Sequence, residues 1–182
     1  MTRLDRFIQA WRIRQARRFI PAGARVIDVG AHEGELFAAL GDRLKQGLGI
    51  EPLAKGTAER ANFRIVPGFF PAVSPAEGDW DAVTMLAVLE HIPAPDQPAL
   101  AAACQRLLRP GGRVIITVPA KAVDRILAVL RTLRLIDGMS LEEHYGFEPE
   151  ATVKIFSPPA FRLLHRSTFQ AGLNHLFVFE RT

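Results

Sequence analysis

The loop Asp28-Val-Gly-Ala-His-Glu-Gly34 gathers a carboxylate, two glycines and a histidine within a few residues. Glu51 stands twenty-three residues beyond Asp28 and ends a short apolar run, Gly47 to Glu51. Glycines at 30 and 34 let backbone approach a ligand closely, and a helix that starts after them brings unpaired N–H groups near it. An acid at this remove, on the end of the next strand, is placed to accept hydrogen bonds from both hydroxyls of a ribose. Loop and acid together predict a nucleoside-containing cofactor. A tight turn beside a solvated Glu51 needs no ligand, but loop, flanking runs and strand-end acid occurring together weigh against it.

The elements that must position these residues alternate along the chain. Leu4, Phe7, Ile8 and Trp11 fall at helical spacing in a first segment, 4–20, which Pro21 stops. Strands are expected at 25–30, 47–51, 63–66, 80–86 and 113–118, with helices at 34–44, 53–62 and 98–108 and a turn at 109–112. Such alternation implies βαβ units, right-handed crossovers and a parallel sheet covered on both faces. After an amphipathic stretch, 121–135, and a polar loop, 137–150, a short helix runs to about Phe156. Two strands, 161–169 and 176–180, then flank a connection short enough for an antiparallel hairpin. The expected fold class is α/β: a doubly wound, Rossmann-like, mostly parallel sheet with a C-terminal antiparallel hairpin, in a three-layer αβα sandwich.

Composition narrows the setting. The 182 residues are 48% hydrophobic and 23% charged, which excludes disordered and fibrous classes and fits a single domain, 1–182. One cysteine, Cys104, leaves no intramolecular disulfide and reads as a small packed hydrophobe. No apolar run reaches membrane-spanning length, and the arginine-studded N-terminus does not read as a secretory signal, so a cytoplasmic protein is expected. Net charge is +4, with six arginines and one acid in the first eighteen residues and four glutamates between Glu142 and Glu150. Arginines so clustered either form a solvated helix face or meet an anionic surface.

The choice of cofactor follows from what the loop lacks. The dinucleotide fingerprint G-x-G-x-x-G is broken, because His32 stands where its second glycine belongs. No Tyr-x-x-x-Lys is present, since the only tyrosine, Tyr145, has Pro149 four residues on. From about Ala24 to Glu180 the sequence instead resembles class I S-adenosylmethionine-dependent methyltransferases. VIDVGAHEG (26–34) is similar to their glycine-rich first motif and GIEP (49–52) to their ribose-binding strand end. WDAVTMLAVLEHIP (80–93) followed by LLRPGGRVIITVP (107–119) resembles the ubiquinone-O-methyltransferase-like branch, and is the most specific signal in the chain.

The resemblance implies S-adenosyl-L-methionine as cofactor and S-adenosyl-L-homocysteine as product. It implies that Asp28 orients the loop near the methionine amino group and that Gly30, Ala31, His32 and Gly34 line the cofactor. Glu51 would hold the ribose, Pro52 and Phe69 would flank the adenine, and Leu86 would sit against the methionine portion. Two departures stand out. His32 replaces the middle glycine, and the adenine-binding acid that often follows the third strand is replaced by Gly68-Phe-Phe70.

Transfer to oxygen requires removal of the acceptor proton, for which His91, after the fourth strand, and His144, in the glutamate-rich loop, are the candidate bases. A metal cage from Glu90, His91 and His144 lacks a first carboxylate, and no metal is expected. The Asn- or Asp-Pro-Pro-aromatic motif of enzymes acting on nucleic-acid bases is absent, so no nucleic-acid partner is expected. The segment 121–148 reads as an insertion covering an acceptor pocket. With the basic first helix, 1–20, it points to a small, hydrophobic or membrane-derived acceptor met at a bilayer surface. The expected activity is methyl transfer to such an acceptor at oxygen. The alternatives are an NAD(P)-dependent oxidoreductase and a catalytically silent cofactor-binding or interaction module.

Overall fold

The computed structural model of the chain describes residues 3–120 and 148–182. The described strands are β1 (Ala24–Val29), β2 (Leu44–Glu51), β3 (Ala58–Glu59), β4 (Phe63–Pro67), β5 (Trp80–Leu86), β6 (Leu108–Pro119), β7 (Phe161–Phe169) and β8 (Asn174–Arg181). They form one sheet in the order β3-β4-β2-β1-β5-β6-β8-β7. Strands β4, β2, β1, β5 and β6 are mutually parallel, and β8 and β7 close the far edge as an antiparallel hairpin. The chain order reverses at β1, so the exits of β1, β2 and β5 border the crevice where open α/β sheets bind ligands.

Alternating side chains supply two cores. Val26, Ala82 and Ile115 face α1 (Arg3–Ala16) and α2 (Glu35–Leu40), packing on Ile13, Ala16, Leu36, Phe37 and Leu40. Ile27, Val83 and Ile116 face the other way, onto Leu100, Cys104 and Leu107 of α3 (Gln97–Leu107) and Val153 and Ile155 of α4 (Ala151–Ile155). Each fully buried aliphatic side chain contributes roughly 1.5–3 kcal/mol, so both faces of the sheet must be covered. This is the expected α/β sandwich with its hairpin.

The structure departs from the local expectations in four places. The span 53–62 is not a helix. Gly56 interrupts it, Leu53 is 88% exposed, and its only regular element is β3, antiparallel to β4. The helix expected over 34–44 ends at Leu40, where Gly41 takes φ +53°, and Leu44 already belongs to β2. The turn 109–112 is absorbed into β6, whose pairing with β5 jumps from Trp80–Leu108 to Ala82–Arg113. On α1 the buried stripe runs through Ile13 and Ala16, whereas Phe7, counted on the apolar face, is 60% exposed.

Because β8 runs against β6 and Asn174 pairs with Pro119, the β7–β8 turn lies at the same end of the sheet as the exits of the parallel strands. The amphipathic stretch 121–135, His144, Tyr145 and all but the last residue of the covering insertion lie outside the described residues.

Candidate functional site

The β1 exit folds back on itself through three left-handed residues, Gly30 (φ +74°), His32 (φ +47°) and Gly34 (φ +90°). A Cβ on Gly30 would lie 2.6 Å from Val88 Cγ2, so both conformation and space demand glycine there. His32 takes a left-handed φ that ordinarily favours glycine. Such a conformation costs a non-glycine residue on the order of 1 kcal/mol or more. Two contacts hold it: His32 Nδ1 lies 2.7 Å from Glu35 Oε1, and the His32 N–H donates to Glu51 Oε2 at 2.9 Å. The loop also leans on β2, with the Gly30 N–H donating to Ile50 O at 2.8 Å.

Glu51, half-buried at the end of β2, is fixed from both sides. Its Oε2 receives the His32 N–H and its Oε1 the Leu53 N–H at 3.0 Å. Each carboxylate oxygen retains a further acceptor position. Pro52 is exposed beside it, and the Gly68 N–H donates to Glu51 O at 3.3 Å, which brings the β4 exit alongside. Phe69, 71% exposed on that exit, and Leu53 leave apolar surface uncovered next to the acid.

Asp28, only 5% exposed, lies beneath the loop. It accepts a 2.6 Å hydrogen bond from Thr84 Oγ1, a hydroxyl that also lies 3.2 Å from Ile27 O. Burial pushes the Asp28 pKa up to about 7; the Thr84 bond works against this, and the charges of Glu35 and Glu51 add to it. Sequence reasoning missed Thr84. The available signal was a polar residue inside the apolar run WDAVTML, on the strand that pairs with β1.

Leu86, half-buried, ends β5, and Ala87 after it takes φ +61°, its N–H donating to Thr117 O at 2.9 Å. The following turn, Leu89–His91, holds Glu90 at 2% exposure and presents His91 to solvent. His91 therefore lies at the same end of the sheet as the β1 and β2 exits, whereas His144 lies outside the described residues. Arg12 was also missed. Its Nε donates to Asn174 Oδ1 at 3.3 Å, tying α1 to the hairpin turn, where Gln170 Nε2 reaches Ile8 O. Burial lowers the Arg12 pKa and the charge of Glu90 draws it back up, so a cation and a buried carboxylate interact at the strand ends.

The donor set for a metal is thin. Among the described residues His32, Glu33 and Glu35 offer ligand atoms within 4.8 Å of one another, but His32 and Glu33 are exposed and the His32 Nδ1 is engaged with Glu35. No metal centre is assigned on this loop.

Comparison with known proteins bears directly on this geometry. A family model described as a methyltransferase domain matches residues 2–168. The chain is similar to the ubiquinone biosynthesis O-methyltransferase of Acinetobacter baumannii (strain AYE), 29% identical over 143 residues, 70% of this chain and 59% of that protein. It thus spans under two thirds of the length of that relative. Among solved structures, a putative S-adenosylmethionine dependent methyltransferase from Listeria monocytogenes superposes with a TM-score of 0.72 at 11% identity, covering 95% of this chain and 99% of that one. The 1,6-didemethyltoxoflavin-N1-methyltransferase of Burkholderia thailandensis, with bound 1,6-didemethyltoxoflavin and S-adenosylhomocysteine, gives 0.67 at 17% identity, covering 98% and 81%. At these identities the structural likeness speaks to fold alone. The family match runs from the first helix into the seventh strand and takes in every strand exit described above; the chain belongs to the class I S-adenosylmethionine-dependent methyltransferases.

Proposed function

We propose that this chain binds S-adenosylmethionine across the β1, β2 and β5 exits and directs its methyl group to an oxygen of a small, hydrophobic acceptor. The observation that carries the reading is the 2.9 Å bond from the His32 N–H to Glu51. It holds a strand-end carboxylate against a left-handed loop with acceptor positions to spare. That donor set fits the adenosyl group: Glu51 has capacity for both ribose hydroxyls, and Pro52 and Phe69 offer apolar surface for a planar base. The nicotinamide alternative has no equivalent support.

When bound, S-adenosylmethionine supplies an electrophilic methyl on a sulfonium, and S-adenosylhomocysteine remains after transfer. The chain's own work is alignment and exclusion of water, which supply much of the acceleration in a displacement of this kind. Gly30 and Ala31 would pass the cofactor with backbone, Asp28 would lie near its amino group, and Leu86 would border the methionine portion. His144 or His91 would take the acceptor proton. The O-methyltransferase name of the curated relatives supports oxygen as the acceptor atom.

A bilayer-surface acceptor is supported by α1, where Phe7 is 60% exposed beside the exposed Arg6. No described helix is long and apolar enough to cross a membrane. Flotation with anionic liposomes at low salt tests this, and absence of association removes it. The cofactor reading is tested by calorimetric titration with S-adenosylhomocysteine, S-adenosylmethionine and NADPH. Micromolar adenosyl binding, weakened in Glu51→Ala, is expected; silence from both adenosyl ligands overturns the reading.

A further inference from the structure

A cleft of about 600 Å³ lies between α1 and the β1–α2 loop. Small-molecule sites occupy roughly 300–1,000 Å³. One wall carries Arg6, Arg14 and Arg17 of the first helical segment; the other carries His32, Glu33 and Glu35. Positions 6, 14 and 17 return to one side of a helix at its 3.6-residue period, so the three guanidinium groups share a face.

The two walls differ in what they leave to a ligand. Glu35 is turned back on its own loop, with Oε1 at His32 Nδ1 and Oε2 accepting the Glu33 N–H at 3.2 Å. Glu33 is exposed. The three arginines are exposed as well, and guanidinium forks match carboxylate and phosphate oxygens two at a time. A ligand of negative charge alone would confront Glu33. One that adds a hydroxyl or amine donor satisfies both walls.

We propose that this cleft binds a small carboxylate- or phosphate-bearing molecule that also carries a hydroxyl or amine donor. Of the residues assigned to the cofactor, its lining contains only His32. Occupancy is transmitted through that residue, which lines the cleft and whose N–H holds Glu51. An anion seated against the arginines therefore acts on the carboxylate meant for the ribose without touching it.

The test titrates 3-phosphoglycerate, which has both groups, and inorganic phosphate into the isotope-labelled full chain, followed by NMR with and without S-adenosylhomocysteine. Saturable shifts at the His32, Glu33 and Ala39 amides are expected, with 3-phosphoglycerate the tighter ligand. Affinity falls about tenfold or more in the Arg14→Gln/Arg17→Gln double variant and is unchanged in Lys45→Gln, on the far end of β2. Shifts that never saturate and spread equally over surface arginines overturn the proposal, as does one-for-one displacement by S-adenosylhomocysteine. The titration without S-adenosylhomocysteine reads the cleft by itself, so failure of that ligand to bind bears on the proposed function alone.

Discussion

Asp28 and Thr84 meet across the β1–β5 junction at 2.6 Å, the hydroxyl donating to a carboxylate that burial would otherwise leave unsupported. The pair joins the strand that leads into the glycine-rich loop to the strand that ends at Leu86. It also gives the fold a titrating centre near neutrality.

That centre predicts a pH slope. The folded Asp28 pKa, about 7, lies above its ordinary value of 3.8, so the folded protein holds this proton more tightly than the unfolded chain. Its contribution to stability is fully present below about pH 4 and is lost as pH rises through about 7. Asp28→Asn is expected to remove this component, so that wild type loses a few kcal/mol relative to the variant between about pH 5 and about 8. Urea denaturation of both proteins across that range checks it. Parallel curves would show that Asp28 titrates normally.

Gly30 and Val88 form a second coupled pair. Gly30→Ala places a Cβ 2.6 Å from Val88 Cγ2 at a left-handed φ, and a cost of about 1–3 kcal/mol is expected. Val88→Ala in the same chain should recover the steric part and leave the conformational part. A double-mutant cycle in thermal denaturation measures the coupling; strictly additive effects would mean that the loop relaxes away from Val88.

At position 32 the conformation, rather than the side chain, sets tolerance. His32→Gly keeps φ +47° without strain and loses only the Glu35 contact, so a change within about 1 kcal/mol is expected. His32→Val sets a β-branched residue in the same conformation and should cost about 2 kcal/mol or more. Equal melting temperatures for the two variants would contradict the left-handed assignment.

Glu51→Gln separates the two duties of that carboxylate. The amide oxygen still accepts one backbone N–H, while the other position becomes a donor facing the His32 or Leu53 N–H. S-adenosylhomocysteine affinity should fall roughly tenfold to a hundredfold, the value of a charge-assisted bond, beside a stability loss of about 1–3 kcal/mol from the unmatched backbone N–H. Calorimetry beside thermal denaturation distinguishes lost binding from lost fold.

Much of this was legible from the sequence, because the informative features are local. β-branched runs ending in glycine or acid declared the strands, and the gap from Asp28 to Glu51 placed the acid one strand over. The C-terminal hairpin was readable from two apolar runs around a short connection. The stretch 53–62 misled because its residues tolerate a helix, whereas the crossover between β2 and β4 needed only turns and the edge strand β3.

By itself, then, the sequence determined the strand order's raw material, the glycine-rich exit of β1 and the acid at the exit of β2, since residue type and spacing suffice for these. Tertiary structure alone decided that Thr84 supports Asp28, that His32 adopts a glycine's conformation, that Arg12 reaches Asn174 of the hairpin turn, and that three arginines share a cleft with the β1–α2 loop. The hydrogen bonds that fix these relations join residues 19, 56 and 162 positions apart. Sheet register, the burial that sets each charge's cost, and the packing of one helix on another arise only when the chain closes on itself.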